Sequence, residues 1–235
     1  MSTTFYSGSD TSGKFGATVA GSLHLSRALA DESEPAGGVS PRVPTSYYPS
    51  NSEIYAEGDD ARFFYKVVSG VVRTLKFLSD GTRQIEAFHV AGDIFGIEHG
   101  PEHGLSAEAV SGCHVMRYRR RGLQDLLASE DGMAVEIFSY AMRCLERARA
   151  HAFLLGRGTA IQKLTAFLSE MSSAAPGGDM VDLAMTRQDI ADYLGLTIET
   201  VSRTLAQLER DGVIALSSAR RIRLKNRSVL RDLNA

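Results

Sequence analysis

The alternation of apolar and polar positions divides the chain into a β-rich segment and a helical segment that follows it. From Glu53 to about Arg119, short runs rich in Val, Ile, Phe and Tyr are separated by turns of Gly, Asp and Ser, which is typical of antiparallel strands. The runs predict five strands: Phe63–Val68, Val71–Leu78, Arg83–Val90, Ser106–Val110 and Cys113–Tyr118. Several short strands at this even spacing favour an antiparallel barrel or jelly roll.

The pattern changes to a helical period between Arg121 and Met171. One apolar stripe recurs at spacings of four, three, four, four and three residues: Ile137, Ala141, Cys144, Ala148, Ala152 and Leu155. So narrow a stripe predicts a long helix that pairs with a second copy of itself as a coiled coil. The alternative is an amphipathic helix that lies on its own β-rich domain. Gly156 and Gly158 interrupt the pattern and predict a hinge before a further helix.

Residues 186–212 carry the pattern of a helix, a glycine turn and a second capped helix. Thr186 and Asp189 are spaced as an N-cap and its capping-box partner. Gly195 suits a left-handed turn between the helices, and Thr197 suits the N-cap of the second helix. The segment therefore predicts a helix-turn-helix, whose second helix enters the major groove of DNA.

Four residues near the start of that second helix are candidates for reading bases: Ile198, Glu199, Ser202 and Arg203. Arg203 can donate two hydrogen bonds to a guanine, and Glu199 can accept one from a cytosine. Val201, Leu205 and Leu208 are expected to bury the opposite face, because they share one helical stripe. The alternative for Glu199 and Arg203 is an exposed salt bridge across one helical turn.

A basic hairpin follows this helix and predicts the wing of a winged helix. Its strands are Val213–Leu216 and Arg221–Leu224, joined by a turn at Ser217-Ser218-Ala219. Six residues of the hairpin and of the helix starts are expected to contact the DNA backbone: Thr186, Arg187, Thr197, Thr200, Arg220 and Arg221. Such phosphate contacts supply salt-dependent affinity but carry no sequence information.

The charge distribution agrees with a DNA-binding face at this end of the chain. Residues 201–235 contain eight Lys or Arg and three Asp or Glu, whereas the whole chain has a net charge of −2. No apolar run is long enough to span a membrane, and two cysteines are too few for a disulfide scaffold, which favours a cytoplasmic protein. Motifs of hydrolases, P-loop proteins and zinc proteases are missing from the sequence, so an enzyme is not expected.

The predicted fold class is α+β, with four parts in sequence order. Residues 1–50 are half Ser, Gly, Thr or Pro and predict a flexible extension. Residues 51–130 predict an antiparallel β-roll, residues 131–157 the dimerisation helix and hinge, and residues 158–235 the winged-helix DNA-binding domain.

This order of parts resembles the CRP/FNR family of bacterial transcription regulators over about residues 50–225. The resemblance is carried by Gly58-Asp59, Ser69-Gly70, the string from Phe88 to Gly96 and the string from Thr197 to Arg203. It implies a β-roll like a cyclic-nucleotide-binding jelly roll, a homodimer and a palindromic double-stranded DNA operator. The Glu-x-x-Ser-Arg pattern is of the FNR type, which implies half-sites of the form TTGA(T/C). RNA polymerase is the other implied partner, and the loop residues Asp80, Gly81, Thr82 and Arg83 are the candidate contact.

The known sensors of the family are not expected in this chain. Its cyclic-nucleotide binders place a Glu soon after the glycine turn and an Arg before a Ser-Ala pair, but Ile97 follows Gly96 and Leu105 precedes Ser106 here. A buried phosphate without its arginine would carry an unpaired charge. Residues 1–112 contain no cysteine, so the iron–sulfur cluster of the oxygen-sensing members is not expected either.

Without these sensors the chain resembles the FixK subfamily, which implies an activator of microaerobic respiration and nitrogen-fixation genes that needs no cofactor or ligand. Cys113 and Cys144 are expected to be small core residues. The alternative is a regulator gated by haem or an unrecognised small molecule, for which His99 and His103 are the only histidine pair.

Overall fold

The computed structural model describes residues 44–120, 133–174, 179–218, 220–226 and Leu230. The first half of this described part consists of strands: β1 (Thr45–Tyr48), β2 (Glu53–Tyr55), β3 (Phe63–Ser69), β4 (Val72–Phe77), β5 (Arg83–His89), β6 (Ile94–Phe95), β7 (Ser106–Ala109) and β8 (Cys113–Arg119). The second half is mostly helical: α1 (Met133–Arg157), α2 (Ala160–Ala174), β9 (Met180–Asp182), α3 (Arg187–Leu194), α4 (Ile198–Arg210), β10 (Ile214–Leu216) and β11 (Arg221–Leu224).

Strands β1 to β8 form two antiparallel sheets, in the orders β1-β8-β3-β6 and β2-β7-β4-β5. Both sheets contribute to one apolar core: Tyr55, Tyr65, Val67, Val72, Phe95, Ala107, Ala109, Cys113 and Val115. The predicted β-roll is therefore confirmed, and each of its five predicted strands lies within one residue of the observed bounds. Strands β2 and β6 were not predicted, because two or three residues are too short to show alternation.

The tight turn between β3 and β4 depends on glycine at position 70. Gly70 has a φ of +84°, in the left-handed region. A Cβ atom there would lie 2.6 Å from both Cβ of Cys113 and the carbonyl oxygen of Gly112. Only glycine therefore allows this turn to approach the start of β8.

The predicted flexible extension is too long at its C-terminal end. Residues 45–48 form β1, which pairs with β8 in a register from Thr45 opposite Met116 to Tyr48 opposite Cys113. The strand escaped prediction because it is short, mostly exposed and flanked by Pro44 and Pro49, which mark an edge strand. Residues 1–43 of the predicted extension lie outside the described residues.

The long helix and the helix after it are separated near the predicted hinge. The N–H of Gly158 donates to the carbonyl of Leu154 at 2.8 Å, at the end of α1. Thr159 and Gln162 then cap α2 reciprocally, with N to Oε1 and N to Oγ1 distances of 3.0 and 3.3 Å. The break falls at Gly158, whereas Gly156 stays within α1. In the described part of the chain, the helices are too short or too polar to cross a membrane.

The winged helix packs directly on the β-roll. Leu75 and Ile85 of the roll lie in the same buried cluster as Phe167 of α2, Ile190 of α3 and Leu205 of α4. The rings of Phe88, Phe167 and Tyr193 also meet across this boundary, with centroids 5.3 to 6.1 Å apart. The first helix of the helix-turn-helix is thus placed against β5.

Candidate nucleic-acid interface

The start of α3 is fixed by a capping box. The N–H of Asp189 donates to Oγ1 of Thr186 at 3.1 Å, and Oδ2 of Asp189 accepts from the N–H of Thr186 at 2.9 Å. This reciprocal pair satisfies two amides that the helix itself leaves without partners, and it confirms the predicted cap. Thr186 and Arg187, two predicted phosphate contacts, lie at this helix start, where Thr186 is exposed.

The turn between α3 and α4 has the predicted geometry. Gly195 adopts φ 59° and ψ 45°, the left-handed conformation that ends α3. Thr197 then caps α4, because its Oγ1 accepts the N–H of Thr200 at 3.2 Å. Helix, left-handed turn and capped helix together form a helix-turn-helix.

The two faces of α4 differ as the sequence predicts. Val201, Leu205 and Leu208 are at most 2% exposed. Ile198, Glu199 and Arg203 are exposed, and Ser202 is half-buried beside them. The four candidate base-reading residues therefore lie together on the free side of the first two turns.

The side chains of Glu199 and Arg203 do not pair with each other. Glu199 interacts with its own backbone N–H and with Thr197, and these hydrogen bonds, together with the charge of Arg203, lower the pKa of its carboxyl. Nη2 of Arg203 lies 3.4 Å from Oγ1 of Thr200. Among the ion pairs of the described residues, none joins Glu199 to Arg203, so both groups are available to a ligand in the groove.

The exposed face continues further along α4 than the sequence analysis predicted. Gln207 and Arg210 line a shallow cleft with Arg203 and Thr200. Gln207 follows Arg203 by four residues and Arg210 follows Gln207 by three, and this spacing is the signal that places them on the same face.

The predicted wing is present, but one of its arginines is already paired. Strands β10 and β11 form an antiparallel hairpin, and β11 also pairs with β9. Nε of Arg221 lies 2.6 Å from Oδ1 of Asp182 on β9, and both side chains are exposed. Arg220 is exposed beside it. Ala219 of the predicted turn lies outside the described residues.

Part of the predicted dimer seam borders a cavity beside the β-roll of the same chain. Cys144, Ala148, Ala152 and Leu155 line a cavity together with strand β5 of the same chain. Ala141, Ala148 and Ala152 are exposed, and the side chain of Ile137 lies outside the described residues. The stripe therefore borders the chain's own β-roll but keeps exposed alanines, and its pairing with a second copy stays a prediction.

A different stripe of α1 is exposed and apolar. Its members are spaced by three, four, three and eight residues: Val135, Phe138, Met142, Leu145 and Phe153. Their side chains are 37% to 77% exposed. At 100° per residue, this stripe lies about a third of a turn from the predicted seam.

The cavity between α1, β5 and α3 has a volume of about 310 Å³. Its polar lining includes His89, Arg147 and Glu170. Burial lowers the pKa of His89 to about 3, with a further contribution from the nearby Arg147. Burial likewise raises the pKa of the Glu170 carboxyl, against the opposite effects of Arg147 and the hydroxyl of Tyr193.

The candidate polymerase loop divides into a tip and an anchor. Asp80, Gly81 and Thr82 are exposed, and Oδ1 of Asp80 accepts the N–H of Thr82 at 2.8 Å. Arg83 was expected on the same exposed tip, but its side chain is only 22% exposed and its guanidinium reaches the carboxylates of α3. This correction removes Arg83 from the free surface of the loop.

At the two positions where the family's nucleotide binders are expected to carry a Glu and an Arg, this chain has apolar side chains. Ile97 is 46% exposed, and Leu105 is half-buried. The ring of His103 is buried and stacks on Tyr55, with centroids 3.7 Å apart, whereas His99 is exposed. Among the described residues, no group of three His, Cys, Asp or Glu side chains is arranged to hold a metal.

The two cysteines differ in their surroundings. Cys113 is fully buried in the core of the β-roll, as expected. Cys144 is half-buried at the cavity, where Nη2 of Arg147 lies 3.5 Å from its Sγ.

Comparison with protein-family models matches both halves of the chain. Residues 162–233 match the Crp-like helix-turn-helix domain, and residues 45–130 match the cyclic nucleotide-binding domain.

The most similar curated proteins include two called nitrogen fixation regulation protein FixK. The protein from Azorhizobium caulinodans is 45% identical over 212 residues, which cover 88% of this chain and 86% of the relative. The protein from Rhizobium meliloti is 40% identical over 199 residues, which cover 85% of this chain and 90% of the relative.

Solved structures also match this chain over most of its length. The structure of FixK2 from Bradyrhizobium japonicum superimposes with a TM-score of 0.78 at 43% identity, covering 82% of this chain and 97% of that one. A CooA mutant from Carboxydothermus hydrogenoformans superimposes with a TM-score of 0.68 at 20% identity, covering 82% of this chain and 88% of that one, which is a likeness of fold alone.

Proposed function

Because the chain belongs to the CRP/FNR family of transcription regulators, we propose that it is a FixK-type activator that binds a TTGA(T/C)-N4-(G/A)TCAA palindrome as a homodimer. It is a DNA-binding regulator of the FixK/FNR type and not an enzyme. In the proposal it acts in the cytoplasm without cyclic AMP or an iron–sulfur cluster, on genes of microaerobic respiration and nitrogen fixation. Residues 45–130 serve as the roll, since strand β1 extends the predicted range of 51–130. Residues 131–157 serve as the dimer helix and residues 158–235 as the DNA-binding domain.

One observation carries the proposal: Ile198, Glu199, Ser202 and Arg203 lie on one free face at the start of a capped helix. The N-terminal turns of a recognition helix are the part that reaches base edges. In that position Arg203 donates to guanine and Glu199 accepts from cytosine, which fits the G·C pair of a TTGA half-site.

The test is a binding titration of the purified full chain, without added nucleotide, on a labelled duplex that contains TTGAT-N4-ATCAA. A duplex of the same composition with both half-sites scrambled is the control. At one fixed salt concentration, the expected ratio of the two dissociation constants is about a thousandfold or more. Equal affinity for both duplexes would contradict the proposal.

Independence from an effector is supported by Ile97 and Leu105, which offer no charged group to a phosphate. Protein that has been unfolded, dialysed and refolded should therefore bind the operator as tightly as untreated protein. A loss of affinity that a small-molecule extract of the untreated protein restores would overturn this part.

The activator role needs a surface that contacts RNA polymerase, and the exposed tip at Asp80, Gly81 and Thr82 is the proposed one. Asp80→Ala and Thr82→Ala should reduce transcription in a purified system while operator affinity stays unchanged. Arg83 is left out of this set, because its side chain is engaged at α3. A parallel loss of transcription and DNA binding would count against the assignment.

A second candidate function is a regulator gated by a small molecule or haem in the cavity beside α1. The observation in its favour is the volume of about 310 Å³, with His89, Arg147 and Glu170 among the lining. Native mass spectrometry and the absorbance spectrum of the purified protein decide between the two functions. A retained molecule or a haem band favours the second candidate, and a bare chain favours the first.

A further inference from the structure

Two arginines of the β-roll reach the same carboxylate at the start of the helix-turn-helix. Nη1 of Arg73 on β4 and Nη2 of Arg83 on β5 lie 2.9 and 2.6 Å from Oδ1 of Asp189 on α3. Arg83 also donates through Nε to Oδ2 of Asp192 at 2.7 Å. Arg73 donates through Nε and Nη2 to Oε2 of Glu108 on β7, at 2.9 and 2.6 Å. We refer to these five residues as the interdomain ion cluster.

The cluster is largely buried, and all of its charges are paired. The side chains of Asp189 and Arg73 are 3% and 8% exposed. Burial by itself would raise the pKa of the Asp189 carboxyl, but hydrogen bonds from Thr186 and the charges of Arg73 and Arg83 hold that pKa below its usual range. The carboxylate is therefore ionised at neutral pH. Removal of one partner would leave a buried charge with fewer contacts, which is unfavourable.

Asp189 links the β-roll to the DNA-binding surface through a short path. Its Oδ2 atom accepts from Thr186 in the capping box, while its Oδ1 atom accepts from the two arginines. The helix that it caps continues through Gly195 directly into α4. Only α3 therefore separates the ion cluster from α4, so the cluster sets the position of α4 relative to the roll.

The docked arrangement leaves the recognition face open. Ile198, Glu199 and Arg203 are exposed while α3 is held on β5. Attachment of the winged helix to the roll is therefore compatible with DNA binding. It restricts how far the two recognition helices of a dimer can move relative to each other, because each roll is joined to its own dimer helix.

We propose that Arg73 and Arg83 are positioning residues for DNA binding, which hold the winged helix on the β-roll and so fix the spacing between the two recognition helices. This inference rests on the proposed function, since it requires a dimer on two half-sites. Adding one base pair between half-sites shifts the second one along the DNA and rotates it around the helix axis, since about ten base pairs make one turn. An anchored domain cannot follow that change, whereas a loosened one can, so the anchor predicts strict selection of one spacer length.

The experiment measures dissociation constants for duplexes whose TTGAT half-sites are separated by three, four or five base pairs. Arg83→Gln and Asp192→Asn each remove contacts of the cluster and leave the recognition face and the capping box intact. Arg62→Gln is the matched control, because Arg62 pairs with Asp60 on the same roll but at an exposed site away from α3. For the four-base spacer we expect about tenfold weaker binding in both variants. On the other two spacers their affinities should stay close to that of the wild-type chain, so the preference flattens.

A merely structural role predicts a different result, in which affinity falls equally for all three spacers. That result, or an unchanged spacer preference in both variants, would overturn the inference. The preference of each variant for TTGAT over scrambled half-sites checks that α4 is intact, and Arg83→Lys should restore part of the spacer selection. If the wild-type chain does not prefer TTGAT duplexes, the proposed function fails as well. If it does prefer them and the variants keep its spacer selection, only this inference fails.

Discussion

The hydroxyl of Tyr140 in α1 accepts the N–H of Ile94 and donates to the carbonyl of the same residue, with both distances at 2.8 Å. These two hydrogen bonds attach the long helix to β6 by one face. Burial raises the pKa of Tyr140 above its usual value, so the hydroxyl stays protonated and able to donate. Phe138, Met142 and Leu145 lie on another face of α1, which is exposed and apolar.

That exposed apolar face is a candidate dimer surface besides the stripe predicted from the sequence. Met142→Glu should convert the dimer to a monomer, because a charge replaces an apolar side chain whose burial contributes about 1.5–3 kcal/mol per protomer. Ala148→Glu, on the stripe that faces the chain's own cavity, is the matched comparison. Sedimentation or light scattering at several protein concentrations measures both variants. The opposite pattern, with a monomeric Ala148→Glu and a dimeric Met142→Glu, would return the interface to the stripe predicted from the sequence.

Substitutions in the wing should change the affinity for DNA without changing the preference for the operator sequence. Arg220→Ala should weaken binding to operator and random DNA alike and reduce the salt slope by about one unit, as expected for one lost phosphate contact. Arg221→Ala should have a smaller effect, because Asp182 already competes for its guanidinium. Asp182→Asn should accordingly strengthen binding to both kinds of DNA. Titrations at several salt concentrations check all three variants, and an effect confined to the operator would mean that the wing reads bases.

His89 gives the stability of the fold a dependence on pH. Its pKa is lowered from about 6.5 to about 3 in the folded chain, mainly by burial. The contribution of the neutral ring is therefore fully present above pH 6.5 and is lost as the pH falls towards 3. At pH 5, wild type should have lost about 2 kcal/mol of this contribution relative to pH 7.5.

The measurement for His89 is the free energy of unfolding in urea at the two pH values. His89→Gln keeps a polar side chain at the position but cannot be protonated. The drop in stability between pH 7.5 and pH 5 should be smaller in this variant than in wild type by the amount given above. An equal drop in both proteins would show that the ring is solvated and titrates normally.

Local patterns in the sequence were sufficient for the helix-turn-helix. The capping pair of Thr186 and Asp189, the left-handed Gly195 and the cap at Thr197 all depend on neighbours within a few residues. Hydrogen bonds over that distance follow from residue type and spacing alone.

Contacts between distant parts of the chain could not be obtained in the same way. Arg83 and Asp189 are separated by 106 residues, and nothing in either local sequence indicates the other. The side of α1 that the roll covers is decided by Tyr140 and the backbone of Ile94, a contact that helical periodicity cannot reveal. Apolar spacing therefore identified the helix but not which part of it the roll covers.

Arg203 provides the sharpest prediction about sequence recognition. Its side chain is exposed, with Nη2 3.4 Å from Oγ1 of Thr200, so it is free to approach a guanine. Arg203→Ala should cost about 1–3 kcal/mol of operator binding and flatten the preference for TTGA over its single-base variants. Ile198 is 38% exposed on the same face and can pack against thymine methyl groups, which suits a half-site that begins with thymines.

Exchange of two neighbours on that face tests the orientation of the helix. In CRP-type members an Arg stands at the position of Ile198 and a Gly at that of Ser202, and the half-site is TGTGA. The double change Ile198→Arg with Ser202→Gly should therefore shift preference from TTGAT towards TGTGA, because the new guanidinium can pair with the additional guanine. Affinities of wild type, Arg203→Ala and the double variant for both operators decide the matter. If Arg203→Ala discriminates as well as wild type, a different face of α4 enters the groove, and Gln207 and Arg210 become the next residues to substitute.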